Sequence, residues 1–219
     1  MRKYVYKIKK EEDNDLISIN SMLVNFKKNL KNKTFIELVS NTSQLKRELV
    51  INEIDEDVAE SVETLIKFWN SVDNENKIPI ENREPIKIYI DSYGGLVTAA
   101  FTIIDAIKLS KTPIVTVNIG KAYSAGFFIF ITGNKRISYP RASFLYHEGS
   151  IGSGRMDAGK FRNYANFYEK ELDILKELVL EHTKISEAEY NKHIKDDWWL
   201  MANEALDLGI CDEITKEFV

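Results

Sequence analysis

A serine and a histidine stand at points of the sequence where their side chains could act on a substrate. Ser124 lies in the stretch GKAYSAGFF (120–128), after an alternating apolar–polar run that predicts a strand and before a buried apolar run. His147 directly follows a second short apolar run at 142–146. A serine hydroxyl becomes a nucleophile at neutral pH only when a base accepts its proton. The pair therefore indicates nucleophilic catalysis, with Ser124 as nucleophile and His147 as base.

Both residues also have a purely structural interpretation. Ser124 could be the N-cap of the helix that starts after it, and His147 could be a core histidine bonded to backbone. The other two histidines are weaker candidates for the base. His182 lies near the C-terminus of a predicted helix, where the helix dipole stabilises an imidazolium, and His193 lies in a polar stretch that we expect to be exposed. Spacing alone leaves the catalytic and structural interpretations open.

Such a pair needs a carboxylate to orient the imidazole, and backbone N–H groups to bind the oxyanion that develops during the reaction. The turn DSYGG (91–95) offers an N–H at Gly95, where no Cβ blocks approach, and Ala125 offers a second one directly after the serine. A tight strand–helix turn explains the glycines equally well. Four aspartates are candidates for the carboxylate, namely Asp91, Asp196, Asp197 and Asp212. The two tryptophans that follow Asp197 could bury and fix its side chain.

The elements that must position these residues alternate between strands and helices. We expect strands at 48–54, 86–90, 113–119, 136–138 and 142–146. We expect helices at 57–69, 96–109, 157–182 and 202–208, a short helix capped by Ser186 and Glu189, and a polar loop at 70–85. This order predicts an α/β fold with a parallel sheet and crossover helices. Ligands of such sheets bind beyond the carboxyl ends of the strands, where Gly95, Ser124 and His147 fall.

The long helix at 157–182 should be about 39 Å long, which exceeds the diameter of a small core. We expect part of it to project and to contact another subunit, so the chain should be an oligomer. Its apolar stripe consists of Phe161, Tyr164, Tyr168, Leu172, Leu175, Leu178 and Val179.

The composition restricts the class of protein. The chain has 219 residues with 44% apolar and 29% charged residues, which predicts one folded domain at 46–219 behind an N-terminal extension of unclear structure at 1–45. A net charge of −4 argues against nucleic acid as a partner. Scattered histidines and a single cysteine, Cys211, predict no metal site, no disulfide and no cofactor. We expect a cytoplasmic protein with no signal peptide and no membrane span.

Four stretches together resemble the Clp protease proteolytic subunit (ClpP) family over roughly residues 46–215. IYIDSYGGLVTAA (88–100) resembles its glycine turn, and GKAYSAG (120–126) resembles its nucleophile turn. FLYHEG (144–149) resembles its histidine strand end. DDWWLMANEALDLGICDEI (196–214) resembles its C-terminal segment, in which the acid lies two residues before a large aromatic residue. Order and spacing agree in all four stretches, and the resemblance implies a ClpP/crotonase-like fold with a projecting handle helix.

The resemblance assigns a role to each site residue. It implies a serine endopeptidase in which Ser124 is the nucleophile, His147 the base and Asp197 the acid, with Asp196 as the fallback. Gly95 and Ala125 would form the oxyanion hole, and a stretch that includes Gly149, Ser150, Ile151 and Gly152 would bind the substrate backbone. It also implies polypeptide substrates and stacked heptameric rings that enclose a chamber.

Several departures from the family pattern leave alternatives open. Tyr93 replaces the usual proline, and Lys121 and Tyr123 replace small or apolar residues. Glu148–Gly149 replaces the usual Gln-Pro. Residues 1–45 do not resemble the family's axial loops, which argues against dependence on an ATP-driven unfoldase. One alternative is a noncatalytic ring subunit or scaffold. An acyl-CoA enzyme of the crotonase fold and a serine–lysine peptidase are weaker, because neither explains the Ser124–His147 pair.

Overall fold

Strands and helices alternate along the chain in a computed structural model that describes residues 46–149, 157–193 and 195–219. These residues belong to one compact unit, Asn41–Val219. The described elements are β1 (Glu48–Ile51), α1 (Glu56–Glu75), β2 (Ile86–Ser92), α2 (Val97–Leu109), β3 (Ile114–Tyr123), α3 (Ala125–Ile131), β4 (Lys135–Ser138), β5 (Ser143–Tyr146), α4 (Ala158–His182), α5 (Glu187–His193), β6 (Trp198–Met201), α6 (Ala202–Asp207) and β7 (Glu213–Ile214). The predicted α/β fold is confirmed.

The sheet is mostly parallel, and it branches at its longest strand. Its main path runs β1-β2-β3-β4-β7 through parallel pairs. The first half of β3 pairs with β4 from Val115 to Asn118, and its second half pairs with β5 from Lys121 to Tyr123. The carboxyl ends of β3 and β5 therefore lie side by side. This pairing brings the residues that follow the two strands, from distant parts of the sequence, to one edge of the sheet.

Asn118 stabilises the point where the sheet branches. Its side chain is fully buried, donates to the carbonyl of Ser143 at 2.9 Å and accepts from the N–H of Gly120 at 3.2 Å. Its own carbonyl accepts from Tyr139 N–H at 2.9 Å. A buried amide is tolerated because each of these groups has a partner. Asn118 thus supplies the hydrogen bonds that the ladder lacks where β3 changes neighbours.

The core lies on one face of the sheet and around α3. Along β2 the residues alternate, with Ile86, Ile88 and Ile90 buried and the residues between them half-buried. All seven residues of α3 are buried, as expected for a helix that is apolar on every side. This helix packs against β2, β3, α2 and α4. The helix that begins after Ser124 is therefore anchored in the centre of the core.

The predicted loop at 70–85 is wrong in its first part, because α1 continues to Glu75. Hydrogen bonds to residues outside α1 stabilise two polar side chains of this additional turn and a half. The Asn70 side-chain oxygen accepts from the N–H groups of Lys111 and Thr112 at 2.8 and 3.1 Å. The Asp73 carboxylate is fully buried and bonded to other side chains. Sequence polarity indicated a loop here because these partners lie between 26 and 42 residues away in the sequence.

Three further boundaries differ from the expectations. The first strand ends at Ile51 rather than at residue 54, and Ile54 instead forms an isolated bridge with Gly95. The predicted strand at 113–119 runs from Ile114 to Tyr123, so most of the GKAY stretch is strand. The strands β6 and β7 were not predicted, and β6 pairs antiparallel with β5. Each of the two is four residues or shorter and gives too little periodicity to recognise.

The long helix is confirmed as α4, and its two halves differ in burial. Leu175, Leu178 and Val179, near its C-terminal end, are buried. Phe161 and Tyr164, near its N-terminal end, are exposed, although the apolar stripe includes both.

None of the described helices is long and apolar enough to cross a membrane. The division into an extension at 1–45 and a domain at 46–219 stays a prediction.

Candidate active site

Ser124 occupies a strained turn between β3 and α3. Its backbone has φ 53° and ψ −123°, a conformation that side chains other than glycine seldom adopt. The N–H of Ser124 donates to the carbonyl of Leu145 in the adjacent strand at 2.9 Å. Ser124 occupies the N-cap position of α3, as the structural interpretation expected, but its side chain makes no capping bond. The residue is half-buried, and its hydroxyl bonds to none of the described residues.

The Gly94–Gly95 turn packs directly against Ser124. Gly94 has φ +110°, and a Cβ there would lie 2.7 Å from Cβ and 3.2 Å from Oγ of Ser124. A Cβ on Gly95 would lie 2.0 Å from the carbonyl oxygen of Ile54, which accepts the N–H of Leu96 at 2.8 Å. Both glycines are therefore required by close packing. This packing accounts for them without any role in catalysis, and it also brings their backbone beside the hydroxyl.

Two backbone N–H groups beside Ser124 lack partners within the described part of the chain. The N–H groups of Gly95 and Ala125 donate to none of the described acceptors. Ala125 is the first residue of α3, and the first N–H groups of a helix have no partner inside it. Donors of this kind are what an oxyanion needs.

His147 and Asp197 meet across the β5–β6 pair. The last residue pair of this antiparallel ladder is Tyr146 with Trp198. His147 follows Tyr146, and Asp197 precedes Trp198, so the two residues lie opposite each other just beyond the ladder. The His147 Nδ1 is 3.5 Å from the Asp197 Oδ1, with the side chains 31% and 59% exposed. The expectation that the tryptophans bury Asp197 is wrong, because its carboxylate is largely in solvent.

The other three candidate aspartates form no contact with His147. Asp91 forms an ion pair with Lys121 at 2.6 Å, and Asp212 forms one with Arg136. Asp196 is exposed, and its N–H donates to the carbonyl of His193. Asp197 is thus the one of the four predicted aspartates that contacts His147.

Ser124 and His147 lie on adjacent strand ends without a direct hydrogen bond between them. The contact between β3 and β5 extends to Tyr123 and Leu145, one residue before the serine and two before the histidine. Catalytic hydrogen bonds are often long in proteins without a bound substrate. The structure therefore brings Ser124, His147, Asp197 and the Gly94–Gly95 turn to one edge of the sheet, with no hydrogen bond between Ser124 and His147.

The other two histidines differ from their expected settings. Burial lowers the pKa of His182 below its usual value despite the neighbouring Glu181, which is the opposite of the stabilised imidazolium expected from the helix dipole. His193 is half-buried rather than exposed. Its ring stacks on Trp198 with centroids 4.1 Å apart, and its Nε2 is 3.0 Å from Glu189 Oε1. Neither histidine contacts Ser124.

The sequence did not predict an aromatic cluster that lies beside Ser124. The ring of Tyr123 makes edge contacts with Tyr93 at 5.9 Å and with Trp199 at 5.1 Å. Lys121 lies 4.4 Å from the centre of the Tyr93 ring, and its hydrogen bond to Asp91 raises its pKa. The only sequence signal for this cluster was that Tyr93, Lys121 and Tyr123 depart from the resembled pattern.

Of the predicted substrate-binding residues, Gly149 is described and has φ +80°. A Cβ on Gly149 would lie 3.0 Å from the hydroxyl of Tyr168, which donates to the carbonyl of Glu148. Ser150, Ile151 and Gly152 lie outside the described residues. No group of three or more potential metal ligands is found among the described residues.

A family comparison covers most of the chain. The family model for Clp protease matches residues 31–218, which is 188 of the 219 residues. The match starts 15 residues before the expected domain boundary at residue 46 and includes the whole described site. The resemblance inferred from four short stretches is thereby confirmed, and the family suggests a peptidase. The chain belongs to the Clp protease family.

Proposed function

We propose that this chain is a serine endopeptidase of the ClpP type that hydrolyses polypeptides through Ser124, His147 and Asp197. One observation carries the proposal: the strained Ser124 after β3, His147 after β5 and Asp197 before β6 lie at one edge of the sheet. The nearby N–H groups of Gly95 and Ala125 donate to no acceptor in the described part of the chain. A strained strand-to-helix turn exposes a nucleophile at the edge of a sheet.

In the first half of the reaction, the Ser124 oxygen attacks the carbonyl carbon of a peptide bond. The Nδ1 of His147 contacts Asp197, which leaves Nε2 to accept the serine proton. The N–H groups of Gly95 and Ala125 bind the oxyanion of the tetrahedral intermediate. The C–N bond then breaks, His147 returns its proton to the departing amine, and an acyl-enzyme remains on Ser124.

In the second half, water hydrolyses the acyl-enzyme. His147 accepts a proton from water as the water oxygen attacks the acyl carbon, and the same two N–H groups bind the second oxyanion. The bond between Ser124 and the acyl carbon breaks, and His147 returns the proton to the serine oxygen. Asp197 stabilises the imidazolium in both halves without accepting a proton itself. The substrate backbone would bind along Gly149, Ser150, Ile151 and Gly152.

We further propose that the active form is a homo-oligomer, with stacked rings around a chamber as the family resemblance implies. The exposed apolar residues of α4 support this, because a projecting helix gains stability when a neighbour covers them. We assign the activity to the cytoplasm because the chain has a single cysteine, Cys211, which is buried.

The test is covalent labelling of Ser124 by a fluorophosphonate together with hydrolysis of a fluorogenic peptide. We expect the parent protein to be labelled at Ser124 and Ser124→Ala to lose peptide hydrolysis by at least about 10⁴-fold, because the nucleophile is gone. Ser71→Ala is a matched control, since Ser71 is an exposed serine of α1. Unchanged hydrolysis by Ser124→Ala would refute the proposal.

A noncatalytic ring subunit is the second candidate. The missing Ser124–His147 hydrogen bond and the largely exposed Asp197 favour it. The same experiment separates the two functions. A parent protein that assembles into rings, yet neither reacts with the fluorophosphonate nor cleaves peptides, would be a ring subunit rather than a peptidase.

A further inference from the structure

The last residue pair of the β5–β6 ladder is adjacent to both ionisable members of the triad. Tyr146 and Trp198 form this pair, His147 follows the first of them, and Asp197 precedes the second. Since Asp197 is exposed and contacts none of the described residues other than His147, its position depends on the backbone that carries it. Whatever fixes Tyr146 and Trp198 therefore also sets the separation of His147 and Asp197.

Tyr146 is fixed by α5 through a buried hydroxyl pair. Its hydroxyl donates to the hydroxyl of Tyr190 at 2.6 Å, and both residues are buried. The two rings are also in contact, with centroids 5.3 Å apart. A buried hydroxyl that loses its partner is costly, so this pair restrains the end of β5 against α5.

The same helix also fixes Trp198, the second residue of the pair, through a stacked ring. The imidazole of His193 stacks on its indole ring with centroids 4.1 Å apart and an angle of 12° between the planes. Glu189 orients that imidazole through its contact with Nε2 at 3.0 Å. Tyr190 and His193 are three residues apart on α5, so they lie on the same side of the helix.

The helix α5 is itself anchored at its start. Ser186 Oγ accepts the N–H of Glu189 at 3.2 Å, and Glu187 pairs with Lys176 of α4 at 2.6 Å. One short helix thus contacts both residues of the ladder pair and is tied to the long helix.

We propose that Tyr190 and His193 are positioning residues that hold His147 and Asp197 at catalytic distance by fixing Tyr146 and Trp198. The inference rests on the proposed peptidase function for its catalytic consequence, although the placement of His147 against Asp197 can be measured without it. Misplacing a catalytic group by about 1 Å can cost about 10²-fold in rate.

The experiment compares His193→Ala, which removes the stacked ring, with His193→Phe, which keeps a ring and removes the bond to Glu189. Asn191→Ala, an exposed position on α5, is the matched control. The first readout is the distance between His147 Nδ1 and Asp197 Oδ1, 3.5 Å in the parent, determined from crystal structures of the variants. The second readout is kcat and KM for a fluorogenic peptide.

We expect His193→Ala to lengthen the distance between His147 Nδ1 and Asp197 Oδ1 by about 1 Å, because the backbone beside Asp197 loses its ring contact with α5. We expect kcat to fall about 10-fold with KM within about 2-fold. The parent values should return in His193→Phe. Tyr190→Phe, which leaves the Tyr146 hydroxyl unpaired, should shift both readouts in the same direction as His193→Ala.

Two results would overturn the inference: a His193→Ala protein with the parent's distance between His147 and Asp197 and the parent's kcat, or a folded His193→Phe protein as impaired as His193→Ala. Should His193→Ala fail to fold, a Tyr190→Phe protein with unchanged readouts would refute it as well. A parent protein that cleaves no peptide, but whose variants show the expected longer distance between His147 and Asp197, would refute the proposed function and support the positioning role.

Discussion

Ser124 holds the most constrained backbone position of the candidate site. Its positive φ requires the chain to turn sharply out of β3, and the bond from its N–H to Leu145 fixes that turn against β5. The turn leaves no room beside it for a side chain at position 94. The geometry of the hydroxyl therefore depends on a glycine 30 residues earlier in the sequence.

We expect Gly94→Ala to slow fluorophosphonate labelling of Ser124 by 10-fold or more. The new methyl group would lie 2.7 Å from the serine Cβ at a backbone φ of +110°, so the turn must shift. The free energy of unfolding should fall by about 1–3 kcal/mol, in keeping with a strained backbone position. Labelling rates and urea denaturation measure the two effects.

The matched control for this change is Gly159→Ala in the first turn of α4. An added Cβ there would meet nothing closer than 3.3 Å, and alanine favours a helix over glycine. This variant should keep the parent labelling rate. A Gly94→Ala protein labelled as fast as Gly159→Ala would show that the turn tolerates a side chain beside the nucleophile.

At the scale of elements, α4 combines a buried end with an exposed apolar surface. Its C-terminal half packs into the core through Leu175, Leu178 and Val179. Phe161, Phe167 and Ile174 remain exposed, with Phe167 at 54%. Large exposed side chains grouped on one helix are characteristic of contact surfaces between proteins. This surface is the feature that we expect to build the oligomer.

We expect Phe167→Asp to shift the protein towards smaller species in sedimentation velocity, because a carboxylate would be buried without a partner in the subunit contact. Asn166→Asp is the control, since it adds the same charge at a neighbouring exposed position of α4. The assembly role of this surface would be wrong if both variants sediment as the parent does. It would also be wrong if the parent is a monomer at working concentration.

At the scale of the whole molecule, Asp73 ties together three segments that are remote in sequence. Its buried carboxylate near the end of α1 accepts from Arg47, just before β1, at 2.6 and 2.8 Å. It also accepts from the hydroxyl of Thr112, just before β3, at 2.6 Å. Burial alone would raise the pKa of Asp73, but the hydrogen bonds from Arg47 and Thr112 outweigh it and leave the pKa below its usual value.

We expect Asp73→Asn to lower the free energy of unfolding at pH 7 by about 3 kcal/mol, because Arg47 loses its charged partner. A carboxyl with a depressed pKa in the folded protein contributes stability above its unfolded pKa of about 4, and this contribution is lost as the pH falls. The difference between parent and variant should therefore shrink from pH 6 to pH 3. Urea denaturation at fixed protein concentration measures it.

Glu60→Gln, at an exposed position on α1, is the control for this series. It should differ from the parent by less than about 0.5 kcal/mol at every pH, as surface substitutions usually do. A difference between parent and Asp73→Asn that stays constant down to pH 3 would contradict the assigned role of the Asp73 carboxylate.

The sequence determined the elements whose periodicity is strong, and the residue types of the site. The alternation in IKIYI (86–90) indicates a strand, because burial selects apolar residues at the period of the backbone. The unbroken apolar run FFIFI (127–131) indicates burial on all sides. The family was recognisable for the same local reason, since a glycine turn, a serine turn and a histidine strand end are each contiguous in the chain. Ser124 and His147 could be named from their neighbours alone.

The resemblance named Asp197 in advance, but the contact of its carboxylate with His147 depends on the antiparallel pairing of β5 with β6. The length of α1 depended on Arg47 and Thr112 as partners for Asp73, and the roles of Tyr190 and His193 depended on what they touch. Only the tertiary structure decided these features. Hydrogen bonds and ring contacts between residues far apart in the chain depend on register and distance, and neither leaves a periodic pattern in the sequence.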